Sequence, residues 1–298
     1  MFLQHSSPWP LLLSKAEPKT AADSIRLQRA MTTLAGQDPA FWFADANGRR
    51  QMFIGGMTEQ YLDYAVQRFA VEATFQAPQV AYRETITRSH RLDHTYSAQF
   101  GVGHFARVTL LFEPDLAAEE LVFASCLAQG ALPDEYVAGV KHGILSVMAL
   151  NFPANRPIIG VKATLIDAAF HPTDSSYLAF KTAGRAAFTE AIPKLGVQLL
   201  EPLMKIEFVA PENFVRLISN CLTDRRGQVQ SQRRDRARVI IGAVTPLATM
   251  FKLEEELLRL SAGQAALNAH YSHYAPVPTA RAPEPPPSPI SAARHITR

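Results

Sequence analysis

At 298 residues and 47% hydrophobic side chains, the chain has apolar material for two or three domains with cores of their own, which excludes a disordered or fibrous protein. Lysine and arginine number 30 against 27 aspartates and glutamates, and Arg281, Arg294 and Arg298 near the end face only Glu284, so total charge gives little support to nucleic-acid binding, which would have to rest on local clusters. Cys126 and Cys221 stand far apart without a CxxC context, and no apolar stretch approaches the length of a membrane span; both argue for a reduced, cytoplasmic setting.

The opening residues hold a short leucine run between prolines with no basic stretch before it, a poor signal peptide. Residues 11–16 then form an apolar run that predicts a strand. A helix is predicted over 19–35, with Ile25, Leu27, Ala30, Met31 and Leu34 at helical spacing. Two short aromatic and apolar runs, 41–44 and 51–54, bracket Asp45-Ala46-Asn47-Gly48, the turn chemistry of a hairpin. A second helix is predicted over 58–72 through Tyr61, Leu62, Ala65, Val66 and Phe69, and a closing strand over 71–75. The order βαββαβ is the split ferredoxin-like pattern.

The middle of the chain predicts strands over 105–112 and 161–168 and helices over 133–150 and 175–191, an α+β domain. After it the first pattern returns: a strand over 199–209, Pro211 opening a helix over 214–222, hairpin strands over 228–232 and 237–244, a helix over 246–260 and a last strand over 265–274. The fold class expected is therefore α+β, two ferredoxin-like βαββαβ domains (8–82 and 198–278) flanking a middle domain (83–197). Residues 279–298 are rich in proline, alanine and arginine and are expected to form a disordered tail.

Several contiguous strings resemble the last three domains of bacterial elongation factor G. Glu17-Pro18-Lys19-Thr20, Leu27-Gln28-Arg29-Ala30, Gln37-Asp38-Pro39 and Gly55-Gly56-Met57-Thr58-Glu59 are similar to its third domain, and Ala77-Pro78-Gln79-Val80-Ala81-Tyr82-Arg83-Glu84-Thr85-Ile86 to its junction with the fourth. Phe105-Ala106-Arg107-Val108, the stretch 171–176 and Ala179-Phe180-Lys181-Thr182-Ala183-Gly184 resemble the fourth domain. Leu200-Glu201-Pro202-Leu203-Met204 and Arg225-Arg226-Gly227-Gln228 resemble the fifth. The resemblance implies a ribosome-binding translation factor that contacts ribosomal RNA near the decoding region and the factor-binding site, in the cytoplasm, with no membrane or DNA partner. GTP and magnesium serve the full-length family, but a P-loop needs Gly-x-x-x-x-Gly-Lys-Ser/Thr and no such string occurs here. No cofactor and no GTP hydrolysis are therefore expected of this chain alone, and a GTPase would come from another polypeptide.

The resemblance also implies where RNA contact would fall. His171 lies in a turn between a strand and a helix, the place of the family's tip loop, where the matching histidine contributes to translocation. Asp174 and Ser175 beside it are candidates for RNA contact, although both are also good helix caps, the favoured reading. The second tip loop, 95–105, reads Tyr96-Ser97-Ala98-Gln99-Phe100-Gly101-Val102-Gly103-His104, and Gly101, Gly103 and His104 are its candidate contacts. Relatives carry two lysines here. Losing them should flatten the salt dependence of an RNA-facing tip. Arg225 and Arg226 after a helix, and Arg233, Arg234, Arg236 and Arg238 on the next hairpin, form a basic cluster interleaved with Asp224 and Asp235. Either RNA contact or a solvated strand edge accounts for it. His90 with His94, and His270 with His273, lack the glutamate or cysteine partners of a metal site and are expected to be structural.

Overall fold

The computed structural model describes residues 9–45, 52–69, 71–97, 104–149 and 156–278. Strand β1 (Leu12–Pro18) buries alternate side chains, and Thr20 caps α1 (Ala21–Gln37) by accepting the Asp23 amide at 3.1 Å. Leu27, Met31 and Leu34 recur at helical spacing along its buried face. Strands β2 (Trp42–Asp45) and β3 (Met52–Gly56) form the expected hairpin. Thr58 then caps α2 (Glu59–Gln67), which stops five residues short of its predicted end. The Arg68 and Phe69 amides tighten onto Ala65 and Val66, and the turn sends the Phe69 ring into the core against Phe41 and Phe75. Strands β4 (Ala73–Phe75) and β5 (Gln79–Val80) share one edge of β1, so the order is β2-β3-β1-β4, antiparallel throughout. That is a ferredoxin-like sheet.

The middle part opens with β6 (Arg83–Ile86), followed by β7 (His90–Ser97), β8 (Phe105–Pro114), β9 (Val122–Ser125), α3 (Asp134–Met148), β10 (Val161–Ala169) and α4 (Tyr177–Leu195). Its sheet runs β7-β8-β10-β9, with β9 parallel to β10 and the other pairs antiparallel. The two edge strands escape prediction for different reasons: β7 is largely polar and buries only Leu92, whereas β9, Val122-Phe123-Ala124-Ser125, is apolar but only four residues long. Phe112, Phe180 and Phe188 are fully buried in the shared core of sheet and helices. The helices cross backbone to backbone: a Cβ on Gly143 would stand 2.2 Å from the Lys181 carbonyl oxygen, and one on Gly184 would stand 2.5 Å from that of Val140.

The last part repeats the first. Strand β11 (Val197–Pro211) leads through a 3-10 turn (Glu212–Phe214) into α5 (Val215–Asp224), then β12 (Gln228–Asp235), β13 (Arg238–Pro246), α6 (Leu253–Leu260) and β14 (Ala266–Pro276), in sheet order β12-β13-β11-β14. The single helix expected over 246–260 is broken. A 3-10 turn (Leu247–Thr249) comes first, pinned by the Thr249 hydroxyl against the carbonyls of Pro246 and Arg225, and Lys252 turns left-handed at φ +59° before α6 begins.

By compactness the described residues fall into two units, residues 9–82 with Leu200–Pro276, and Arg83–Leu199 with Val277 and Pro278. Within the first unit the Tyr274 hydroxyl donates to the Ala81 carbonyl at 2.8 Å. Among the described residues no helix is long and apolar enough to cross a membrane.

Candidate nucleic-acid interface

The two loops singled out in the middle domain meet. Strands β7 and β8 pair as far as Ser97 and Phe105, which places His104, half-buried, at the end of the hairpin. Gly101 and Gly103 lie outside the described residues. The chain leaving β10 crosses beside this end before entering α4. The Phe105 amide donates to the Asp174 carbonyl at 2.6 Å, and the Ser175 hydroxyl donates to the Phe105 carbonyl at 2.6 Å.

The His171 turn is closed on itself. The His171 amide donates to the Ser175 hydroxyl at 2.9 Å, and the Ser175 amide returns a bond to the His171 carbonyl at 3.1 Å. Beneath it, Tyr136 of α3 stacks on Phe180, meets Phe170 edge-on and donates its hydroxyl to the Ser175 carbonyl at 3.1 Å. This leaves the imidazole more than half exposed, its Nδ1 3.1 Å from Asp174 Oδ2 and 3.0 Å from Thr173 Oγ1. Once protonated, the ring is held by a carboxylate while facing solvent, a geometry able to meet a phosphate or a base edge.

Capping falls to a residue not predicted for it. Ser176, extended at φ −150°, accepts the Ala179 amide at 3.2 Å and caps α4. Asp174 faces His171 instead, and Ser175 spends its hydroxyl on the loops, so the capping reading of both is corrected. A cap must immediately precede the first helical residue, and neither does. Tyr136, Phe170, Tyr177 and His142 also join the tip, the last two bonded at 2.8 Å, with Phe170 and Tyr177 exposed. Of these, Tyr136, His142 and Tyr177 lie within or at the start of helices, and nothing in their spacing marks them as neighbours of the loop.

The basic cluster divides in two. Arg225 pairs with Glu256. Arg226, left-handed at φ +59°, places its fork on Glu201 with two bonds of 2.7 Å. Glu201 is buried, and its hydrogen bond holds the Arg226 pKa above the ordinary arginine value. Both arginines are thus engaged inside the fold. Arg233 and Arg234 lie on β12, an edge strand exposed along its whole length, with Arg233 3.8 Å from Glu207 and Arg234 paired with Glu212. As neighbours on a strand they point to opposite faces and present no single patch. His94 faces Glu190 at 3.3 Å and His273 the Ser272 hydroxyl at 3.0 Å; among the described residues no three potential ligands gather around a metal position.

Two ferredoxin-like domains around an α+β domain with a two-loop tip form the C-terminal architecture of a translation factor. Residues 78–195 match the family model of elongation factor G, domain IV, and residues 198–285 that of the elongation factor G C-terminus. The chain belongs to the elongation factor G family. A crystal structure of a protein from Thermus thermophilus is similar over 92% of this chain, at 30% identity and a TM-score of 0.70. The match takes in 42% of that protein's length.

Proposed function

We propose that this chain acts in the cytoplasm as a ribosome-binding partner of elongation, reaching ribosomal RNA near the decoding region with the tip that carries His171 and touching the factor-binding site with its last ferredoxin-like domain. The observation that carries the reading is the tip: the family's fourth-domain match holds an exposed histidine on a loop braced by the neighbouring hairpin and by Tyr136. No nucleotide is assigned to these 298 residues, which contain no P-loop string, so GTP hydrolysis during translocation would come from a GTPase module outside them. One feature favours a second reading, a regulator or protection-type factor that occupies the site without translocating: residues 95–105 contain no lysine, which removes phosphate contacts from the tip.

Co-sedimentation with ribosomes tests the first claim. Binding at low salt should fall steadily as salt rises, because each neutralised phosphate releases condensed counterions. Protein that stays in the supernatant at the lowest salt, or pellets equally at every salt, would overturn it. With binding established, a translocation assay with a complementing GTPase separates the two readings, and His171→Ala should matter only there.

A further inference from the structure

We propose that Ser175 is the positioning residue of the tip, the hydroxyl through which the His171 loop and the end of the β7–β8 hairpin are held as one surface. The consequence for RNA contact rests on the ribosome reading above; the clamp itself stands on geometry. A serine hydroxyl has one proton to donate and lone pairs to accept with, and here the first reaches across to the hairpin while the second closes the His171 turn. The proton goes to the Phe105 carbonyl at 2.6 Å, and a lone pair receives the His171 amide at 2.9 Å. Because Ser176 caps α4, the Ser175 hydroxyl has no part in starting the helix.

Ser175 also grips the turn through its backbone, donating to the His171 carbonyl and accepting the Tyr136 hydroxyl, both at 3.1 Å. His171 is therefore tied at its amide and its carbonyl to a single residue, which is itself bonded to the hairpin. The turn that carries the imidazole is thereby fixed relative to β8 as well as closed within itself.

The test compares the full-length chain with Ser175→Ala and Ser175→Thr by amide hydrogen exchange resolved by NMR, alongside ribosome co-sedimentation. Ser175→Ala should speed exchange of the His171 amide by about tenfold, the effect of one lost hydrogen bond, and leave the paired β8 and β10 amides of Leu110 and Leu165 unchanged. Ser175→Thr, which keeps the hydroxyl, should restore slow exchange at His171. Translocation assayed with a complementing GTPase should slow severalfold with Ser175→Ala and recover with Ser175→Thr, while co-sedimentation of both variants with ribosomes stays that of the parent chain. Unchanged exchange at His171, equal acceleration at Leu110 and Leu165, or failure of threonine to restore protection would each overturn the clamp. If the parent chain does not pellet with ribosomes, the ribosome reading fails while the exchange rates still decide the clamp.

Discussion

A carboxylate taken out of water is stable only with a close, well-aligned partner, and Glu201 has one in the fork of Arg226. Removing that partner strands a buried charge. Arg226→Ala should therefore lower unfolding free energy by about 3–5 kcal/mol in urea titrations. Arg233→Ala with Arg234→Ala, at more than two-thirds exposed side chains, should leave stability within about 1 kcal/mol. An RNA contact by this domain is thus best tested on β12, where lost binding cannot be mistaken for unfolding. Glu84 makes the opposite case: it is buried with Arg156 3.9 Å away, and burial outweighs that attraction and pushes its pKa up. A carboxyl whose folded pKa lies above its unfolded one adds stability in acid and loses it as pH rises through the folded value. The unfolding free energy of Glu84→Gln relative to the parent chain should accordingly improve as pH rises above the ordinary glutamate range. A difference that stays flat or runs the other way would mean that Arg156 dominates.

Among the elements, the crossing of α3 over α4 is the contact with least room. Gly143 and Gly184 are needed there for space alone, since any Cβ would press on the backbone of the facing helix. Gly143→Ala should cost about 1–3 kcal/mol by wedging the helices apart, read as a lowered Tm. Gly36 in α1 has open space where its Cβ would be, so Gly36→Ala should stabilise by about 0.5–1 kcal/mol. If the two substitutions shift Tm alike, the crossing is looser than its geometry implies. Because Tyr136 on α3 braces the His171 turn, the same crossing supports the tip.

For the whole molecule, the chain leaves one ferredoxin-like domain, builds a complete α+β domain and returns to build the second beside the first. Among the described residues, the core of the middle domain draws on side chains from Ile86 to Leu195. Residues 83–199 expressed alone should consequently fold cooperatively, with near-UV circular dichroism and one sharp thermal transition. A segment with helical far-UV signal but no near-UV signal would show that the flanking domains are required.

Periodicity and turn chemistry in the sequence were enough to determine both βαββαβ repeats, the two long helices of the middle domain and, through the family strings, the loop that carries His171. These are local properties: a helix face repeats within four residues, a hairpin turn within four, and a motif is contiguous. The tertiary structure alone decided which hydroxyl caps α4, that the largely polar β7 and the short β9 complete a sheet, that Arg226 belongs to Glu201, and that Ser175 reaches Phe105. The last two pairs are separated by 25 and 70 positions. Hydrogen bonds across such distances leave no spacing in the chain to read, because the fold, not the local backbone, brings their partners within reach.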